Sequence, residues 1–306
     1  GTCAAAMGGF TVVADMPNTK PAVNRPAVLK KRENVARSKA LVDYALYYGV
    51  PDRDEDLPKE IENLAIGFKV FMQHEFYTDK RQLVEKVLEF ASREGTLVVA
   101  HAENPKFYVE TLMGLSGTPE AEASAIKDIA GLALRYGFRL HVTHLSSADG
   151  VRELSRWKGR AKITADTCPH YILLNADDAQ AKGAIAKIHP ALKNSMDMEI
   201  LLKKLKDGTI DAISSDHSPQ PLEEKATPDS ALPGFPGLET TLPLLLTMVN
   251  KGLLTIEDVV RACASNPSKI LGLDMAGAIE EGKVGNLTIV DMHRRAKIDP
   301  KAFVSR

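Results

Sequence analysis

The chain has 306 residues and a formal net charge of −1, with 39 lysines and arginines against 40 acidic residues. It has no basic run or arginine-rich arm, which argues against a nucleic-acid partner, and no apolar run long enough to span a bilayer. The three cysteines, Cys3, Cys168 and Cys263, lie far apart and outside any Cys-x-x-Cys spacing. The composition therefore predicts a cytoplasmic globular protein without a disulfide framework.

Short β-branched apolar runs alternate with helical stretches along most of the chain. The predicted strands cover residues 11–15, 41–48, 67–72, 96–100, 139–143, 162–165 and 210–214. The predicted helices cover residues 2–7, 24–41, 80–94 and 122–136. This alternation predicts βαβ units and a parallel sheet, although the run at 41–48 could also extend the helix before it.

Polar residues recur at or near the C-terminal ends of the predicted strands. They are Asn18, Lys69, His101, His144, Asp166 and Asp216. In a (β/α)8 barrel this edge holds the active site. Because no Gly-x-Gly-x-x-Gly or P-loop motif follows any strand, a nucleotide-binding sheet is disfavoured. The pattern predicts an α/β protein of the (β/α)8, TIM-barrel type.

Seven predicted strands are one fewer than such a barrel needs. We expect the missing strand to be the first one, upstream of Gly1. Residues 278–291 change to a turn-rich pattern with short strands, which is typical of a small β-domain. The sequence therefore predicts a barrel over residues 1–272 and part of a small β-domain over residues 273–306.

Histidine and carboxylate side chains at separate strand ends can converge on one point above a barrel. Neutral imidazole and carboxylate together suit zinc, manganese or iron, and a bound metal lowers the pKa of water to about 7. Asp216 could serve both as a ligand and as the base that handles the water proton. The alternative is that these residues only cap helices or hold loop backbone.

Lys69 lies inside the apolar run Gly-Phe-Lys-Val-Phe-Met, where an unpaired ammonium group is costly to bury. One interpretation is a lysine whose head reaches solvent at the strand end. The other is a lysine converted by carbon dioxide to a carbamate, whose two oxygens could bridge two metal ions.

Five short segments occur in the order found in one group of enzymes. They are DMPNT at 15–19, HAEN at 101–104, THLS at 143–146, DHSP at 216–219 and PGFPGLET at 233–240. Together they resemble the dihydroorotases of the amidohydrolase superfamily, and allantoinases and hydantoinases share several of them. The resemblance implies reversible hydrolysis of the cyclic amide of dihydroorotate to carbamoyl aspartate, in pyrimidine biosynthesis, by a metal-activated hydroxide. An allantoinase, a hydantoinase or a non-catalytic structural subunit are the alternatives.

The resemblance also implies a divalent metal, zinc in the first place, at one or two ions per chain. The implied metal ligands are Lys69 as a carboxylated bridge, His101, His144, Asp166 and Asp216, with Asp216 also the catalytic proton shuttle.

The implied substrate-binding residues are Asn18 for the substrate carboxylate, Pro233 and Gly234 beside the ring, and His189 and Gln220. Gln220 stands where the family has a second histidine, and His-Pro-Ala-Leu-Lys at 189–193 replaces its usual Asn-Pro-Pro-Leu-Arg. The family's His-x-His and following arginine are absent from the chain, and we expect them upstream of Gly1.

The implied partners are a small-molecule substrate, a second copy of the chain in a homo-oligomer, and other enzymes of the pyrimidine pathway.

Two further predictions concern residues outside the motifs. His141 is interpreted as a strand residue packed under the helices, and Glu223, Glu224 and Lys225 as a solvated face.

Overall fold

The computed structural model describes residues 1–58, 65–227 and 231–305. The strands in these ranges are β1 (Val12–Asp15), β2 (Asp43–Gly49), β3 (Gly67–Phe71), β4 (Leu97–His101), β5 (Tyr108–Thr111), β6 (Gly114–Gly117), β7 (Arg139–Val142), β8 (Ile163–Thr167) and β9 (Ala212–Ile213). The α-helices are α1 (Thr2–Met7), α2 (Pro26–Lys39), α3 (Arg81–Glu94), α4 (Pro119–Tyr136), α5 (Ala148–Trp157), α6 (Pro169–Leu173), α7 (Ala176–Lys182), α8 (Ser195–Lys206), α9 (Leu238–Asn250), α10 (Ile256–Val260) and α11 (Asn266–Leu271). Five short 3₁₀ turns (Asp54–Asp56, Pro105–Phe107, Gly183–Ala186, Leu222–Lys225 and Pro300–Ala302) and one π-helical turn (Arg261–Ser265) complete the described helices.

Seven of the described strands form one parallel sheet in the order β1-β2-β3-β4-β7-β8-β9. Spatial order follows chain order, as in a barrel where each crossover helix leads to the next strand. All seven predicted strands are present, and the ambiguous run at 41–48 belongs to β2 rather than to a longer α2. The predicted α/β fold of the TIM-barrel type is confirmed. No helix in the described ranges is long and apolar enough to cross a membrane.

Alternate residues of the strands enter two separate apolar layers. Phe68 and Val70 of β3 belong to the large core between the sheet and the helices. Val99 of β4 belongs to a smaller core on the other, inner face of the sheet. Because register neighbours lie on the same face, Lys69 and His141, which pair with Val99 from either side, also point to the inner face.

A short antiparallel hairpin interrupts the βα alternation between β4 and α4. Strand β5 pairs with β6, with Tyr108 opposite Gly117. The sequence does not predict this hairpin, because its two four-residue strands, half of whose residues are exposed, lack the apolar runs that mark the sheet strands.

The short strands predicted at 278–291 are not formed in the described chain, where residues 273–305 contain no strand. A strand needs a partner ladder, but this segment is mostly exposed and makes side-chain contacts such as Asn286 Nδ2 donating to Asp43 Oδ2 at 2.6 Å. The division into a barrel and a part of a small β-domain stays a prediction.

Candidate active site

The two strand-end histidines meet at the C-terminal edge of the sheet. His101 is the last residue of β4, and His144 follows β7, the neighbouring strand. Nδ1 of His101 lies 2.9 Å from Nε2 of His144, and both side chains are buried. These two of the predicted site residues therefore converge.

Burial favours the neutral form of both imidazoles. Burial lowers the pKa of His101, with Glu103 opposing this effect, and burial lowers the pKa of His144 well below its ordinary value. Neutral imidazole is the form that binds metal ions. Nδ1 of His144 is also buried without a hydrogen-bond partner among the described residues.

Lys69 is only 2 % exposed, which rules out the interpretation that its head reaches solvent. Its Nζ lies 4.9 Å from the centre of the Phe71 ring. Burial lowers the pKa of Lys69 to about 8, although the charges of Asp166, Asp216 and Glu75 act in the opposite direction. A part of the population is therefore an uncharged amine near neutral pH, and only that form can react with carbon dioxide.

His144 and Asp216 share an unusual backbone conformation. Their φ angles are 48° and 41°, and no other non-glycine residue in the described ranges has a positive φ. Such conformations cost free energy in L-residues and cluster at functional sites. Burial raises the pKa of Asp216 to about 6, while Lys69 lowers it and Asp166 raises it, so these three side chains share one electrostatic environment.

Asp166 is held by protein donors on both carboxylate oxygens. Oδ2 accepts from His141 Nε2 at 2.7 Å and from Thr143 Oγ1 at 3.0 Å. Oδ1 accepts from the backbone N–H of His144 at 2.7 Å and from Ser214 Oγ. This carboxylate thus fixes the backbone that carries His144, and its role as a metal ligand stays a prediction.

His141 is a strand residue of β7, as predicted, but the prediction that it packs under the helices is wrong. Its ring lies on the inner face of the sheet, where Nδ1 is 2.8 Å from Thr164 Oγ1 and Nε2 contacts Asp166. The error arose because an apolar strand buried on both faces gives no period-2 signal for which face a residue takes.

A second buried carboxylate, Glu122 of α4, holds the loop after His144. Its Oε1 accepts from the backbone N–H and the hydroxyl of Ser146 at 2.8 and 2.9 Å, and its Oε2 accepts from Ser147 Oγ. Burial raises the pKa of Glu122 to about 7, against the effect of these donors. The sequence analysis missed this residue because an acid in the first turn of a helix is ordinarily a surface residue.

The donor types fit a divalent metal such as zinc. Two neutral imidazoles present facing nitrogens, and Lys69 and Asp216 share their electrostatic environment. Within the part of the chain that the structure describes, however, no three His, Cys, Asp or Glu side chains are close enough together to form a metal site.

The substrate-binding residues expected from the resemblance lie on loops. Asn18 is exposed in the loop after β1, and Gln220 is half-buried with its Nε2 3.5 Å from Ser218 Oγ. His189 is half-buried, and the charges of Glu103 and His101 act on its imidazole. His189 also lines a cavity of about 330 Å³ beside the β5–β6 hairpin.

Gly234 is held against the loop that carries Asp216. Its φ is 142°, and a Cβ at this position would lie 2.1 Å from the carbonyl oxygen of Ser218. Ser218 N–H in turn donates to the carbonyl of Phe235 at 2.9 Å. Only glycine allows the segment that begins at Pro233 to approach this loop so closely.

Lys225 is buried, so its assignment to a solvated face is wrong, whereas Glu223 and Glu224 are exposed. Its Nζ donates to the carbonyls of Ile185 and Lys187 at 3.1 and 3.0 Å. These acceptors are about forty residues away in the chain, and no local pattern indicates them. The lysine ties its own turn to the segment that leads into His189.

Comparison with known proteins agrees with this geometry. Residues 1–305 match the family model of the amidohydrolases. The chain belongs to the amidohydrolase family. It is 35 % identical over 325 residues to a dihydroorotase of Acetivibrio thermocellus, covering 100 % of this chain and 75 % of the relative. It is 36 % identical over 297 residues to a dihydroorotase of Geobacter sulfurreducens, covering 92 % and 69 %.

Solved structures of related enzymes have the same fold. An L-hydantoinase (dihydropyrimidinase) from Arthrobacter aurescens superimposes with a TM-score of 0.84 at 28 % identity, over 92 % of this chain and 68 % of that one. A dihydropyrimidinase from Brevibacillus agri gives 0.81 at 25 % identity, over 93 % and 68 %. The prediction that this chain is an enzyme of the amidohydrolase type is confirmed.

Proposed function

We propose that this amidohydrolase opens the cyclic amide of dihydroorotate to give carbamoyl aspartate, and closes the same ring in the biosynthetic direction. The observation that carries the proposal is the buried contact of His101 with His144 at the strand ends, with Lys69 on the inner face of the same sheet. The choice of dihydroorotate is supported by relatives named dihydroorotase, which match 92–100 % of the chain at 32–36 % identity.

Lys69, His101, His144 and Asp216 are the residues that would hold a divalent metal. Such a metal supplies a Lewis acid and lowers the pKa of a water molecule to near 7. Lys69 would take part as a carbamate, for which its burial and lowered pKa prepare an uncharged amine. Asp166, the remaining ligand expected from the sequence, is proposed to act by fixing His144.

Asp216 is proposed to move the proton. It accepts a proton from the attacking water as oxygen bonds to the ring carbonyl carbon, and returns it to the ring nitrogen as the C–N bond breaks. A carboxylate with a pKa of about 6 is present in both its ionised and its protonated form near neutral pH. It can therefore accept the proton in the first step and donate it in the second.

The loops are proposed to bind the substrate. Asn18 would donate to the substrate carboxylate, and Gln220 and His189 would add polar contacts without a fixed charge, since burial lowers the pKa of His189. The close approach of Gly234 to Ser218 would place backbone beside the ring.

A hydantoinase or allantoinase activity is the second candidate, because the solved structures that match the fold include an L-hydantoinase and a dihydropyrimidinase. These reactions cleave the same kind of bond but do not require recognition of a ring carboxylate. The loops, rather than the strand-end residues, would decide between the two.

The test is a parallel assay of the purified protein with dihydroorotate, allantoin and 5-substituted hydantoins, together with metal analysis by mass spectrometry. We expect turnover of dihydroorotate to exceed the others at least tenfold in kcat/KM, with one or two metal ions per chain, as the proposal requires. A higher kcat/KM for a hydantoin than for dihydroorotate would favour the second candidate function instead. A metal-free protein without activity would favour a structural subunit.

The predicted cytoplasmic location, homo-oligomer and association with other enzymes of the pathway stay predictions. Size-exclusion chromatography with light scattering measures the oligomeric state directly.

A further inference from the structure

Glu103 is a buried carboxylate in the active site to which the proposed reaction gives no role. It lies two residues after the end of β4 and is 0 % exposed. Its Oε2 lies 3.0 Å from Nε2 of His101 and accepts a hydrogen bond from the hydroxyl of Tyr108 at 3.1 Å. A carboxylate so far from solvent requires a partner, and here the first partner is a predicted metal ligand.

The contact with Glu103 determines whether the other ring nitrogen of His101, Nδ1, carries a proton or a free lone pair. A carboxylate accepts, so the ring proton resides on Nε2 and Nδ1 keeps its lone pair. That Nδ1 faces Nε2 of His144 at 2.9 Å, on the side of the proposed metal. Carboxylates that orient metal-binding histidines in this way are a general feature of metal sites.

The β5–β6 hairpin holds Glu103 in place from the other side. Tyr108 opens β5, and Gly117 ends β6 directly opposite it. A Cβ at Gly117 would lie 2.0 Å from Oε1 of Glu103, so any larger residue must displace the carboxylate. Lys193 Nζ donates to the carbonyl of Gly117 at 2.6 Å, which ties this end of the hairpin to the barrel.

We propose that Glu103 is a positioning residue that fixes the orientation and the tautomer of His101 for metal binding, with the hairpin holding Glu103 against it. This inference rests on the proposed metal site. It gives the hairpin, which the sequence does not predict, a role at the active site.

The test measures the zinc affinity of the purified protein by competition with a chromophoric chelator. Glu103→Ala is expected to weaken zinc binding about 10–100-fold, the usual effect of removing the partner of a metal-binding histidine. Glu103→Gln keeps an acceptor oxygen without charge and should fall between wild type and Glu103→Ala. At saturating zinc the KM for dihydroorotate should return to the wild-type value in both variants, which distinguishes positioning of a ligand from damage to the substrate site.

Gly117→Ala provides a second route to the same result because it leaves the carboxylate in the chain and only displaces it. We expect it to weaken zinc binding in the same direction as Glu103→Ala. Glu110→Gln, an exposed acid on the same hairpin, is the matched control and should bind zinc as wild type does. Far-UV circular dichroism and Tm confirm that each variant is folded.

The outcomes separate this inference from the proposed function. If the wild-type protein binds zinc, and folded Glu103→Gln and Gly117→Ala bind zinc with the same affinity as wild type, only the role of Glu103 is overturned. A wild-type protein that binds no zinc and does not turn over dihydroorotate would overturn the proposed function and the role of Glu103 with it.

Discussion

The strand-end cluster and the substrate loops are built in different ways. The cluster, defined as Lys69, His101, His144 and Asp166, comes from adjacent strands or the residues directly after them, and all four side chains are buried. The substrate loops, defined as the loops that carry Asn18, His189, Gln220, Pro233 and Gly234, are largely half-buried or exposed. Strand register therefore fixes the groups proposed to cleave the bond, while longer connections carry the residues proposed to bind the substrate.

The largest effect should come from the proposed proton shuttle, Asp216, beside the cluster. Asp216→Asn removes the base but keeps the size of the side chain, and we expect kcat with dihydroorotate to fall about 10²–10⁴-fold in both directions. Steady-state rates measure this, with the exposed Asp274→Asn as the control. Activity within tenfold of wild type would remove Asp216 from the mechanism.

The buried carboxylate behind the cluster should give the protein a specific pH dependence. The pKa of Glu122 is about 7 in the folded chain, against an ordinary glutamate value of 4.5, so the folded state binds more protons between these values. Unfolding then releases protons, and the free energy of unfolding falls as pH rises from about 4.5 to 7. Glu122→Gln lacks this titration, so wild type should lose up to about 3 kcal/mol relative to the variant over that range.

Urea unfolding of both proteins at several pH values measures the difference. If the two stability curves stay parallel from pH 5 to pH 8, Glu122 is already ionised in the folded state at low pH, and the account of this carboxylate is wrong.

Asp166 tests whether the cluster depends on its supporting hydrogen bonds. Asp166→Asn keeps one carbonyl acceptor but replaces the other oxygen by a donor, which faces His141 and Thr143 or the N–H of His144. We expect a loss of about 1–3 kcal/mol in the free energy of unfolding and a fall of about 10–100-fold in kcat. A variant with normal stability and no bound metal would instead favour a direct ligand role.

Lys225 links one of the substrate loops to the barrel. Lys225→Met fills a similar volume but removes the ammonium group that donates to the carbonyls of Ile185 and Lys187. The Lys187 carbonyl still accepts from the backbone N–H of Gly234. We expect a loss of about 1–3 kcal/mol by urea unfolding, and a higher KM because the segment before His189 loosens. The exposed Lys182→Met should change neither value. Equal behaviour of the two variants would show that burial of Lys225 contributes nothing.

The smallest effect should come from the exposed end of the substrate loops. Asn18→Ala removes one proposed hydrogen bond to a substrate carboxylate, which corresponds to a rise of about tenfold in KM with little change in kcat. The exposed helical Asn34→Ala is the control. A large fall in kcat would mean that Asn18 acts on the reacting bond. It would contradict the proposal that the loops bind the substrate while the cluster carries out the reaction.

Much of the fold was predictable because buried parallel strands leave continuous apolar runs. All seven sheet strands follow from this signal, and the polar residues at their ends make His101, His144 and Asp216 candidate site residues. The direct contact between the two histidines follows from adjacent strands ending at one edge.

The supporting residues were not predictable, for a physical reason. Glu122 lies in the first turn of α4 and Lys225 beside two exposed acids, so both have the local pattern of surface residues. Both can be buried because each forms hydrogen bonds with residues distant in the chain: Glu122 accepts from Ser146, and Lys225 donates to Ile185. The sequence gives a weak indication that Glu103 belongs to the site, because this carboxylate comes two residues after a strand-end histidine. Its partner Tyr108 lies on a hairpin that has no apolar pattern, so the contact between them is not predictable.

The most direct test of the central claim is the rate of dihydroorotate hydrolysis before and after removal of bound metal. The account predicts that dialysis against a strong chelator abolishes turnover, and that added zinc with bicarbonate restores it because Lys69 must be carboxylated again. Unchanged turnover in the metal-stripped protein, or no turnover of dihydroorotate in the zinc-loaded protein, would contradict it.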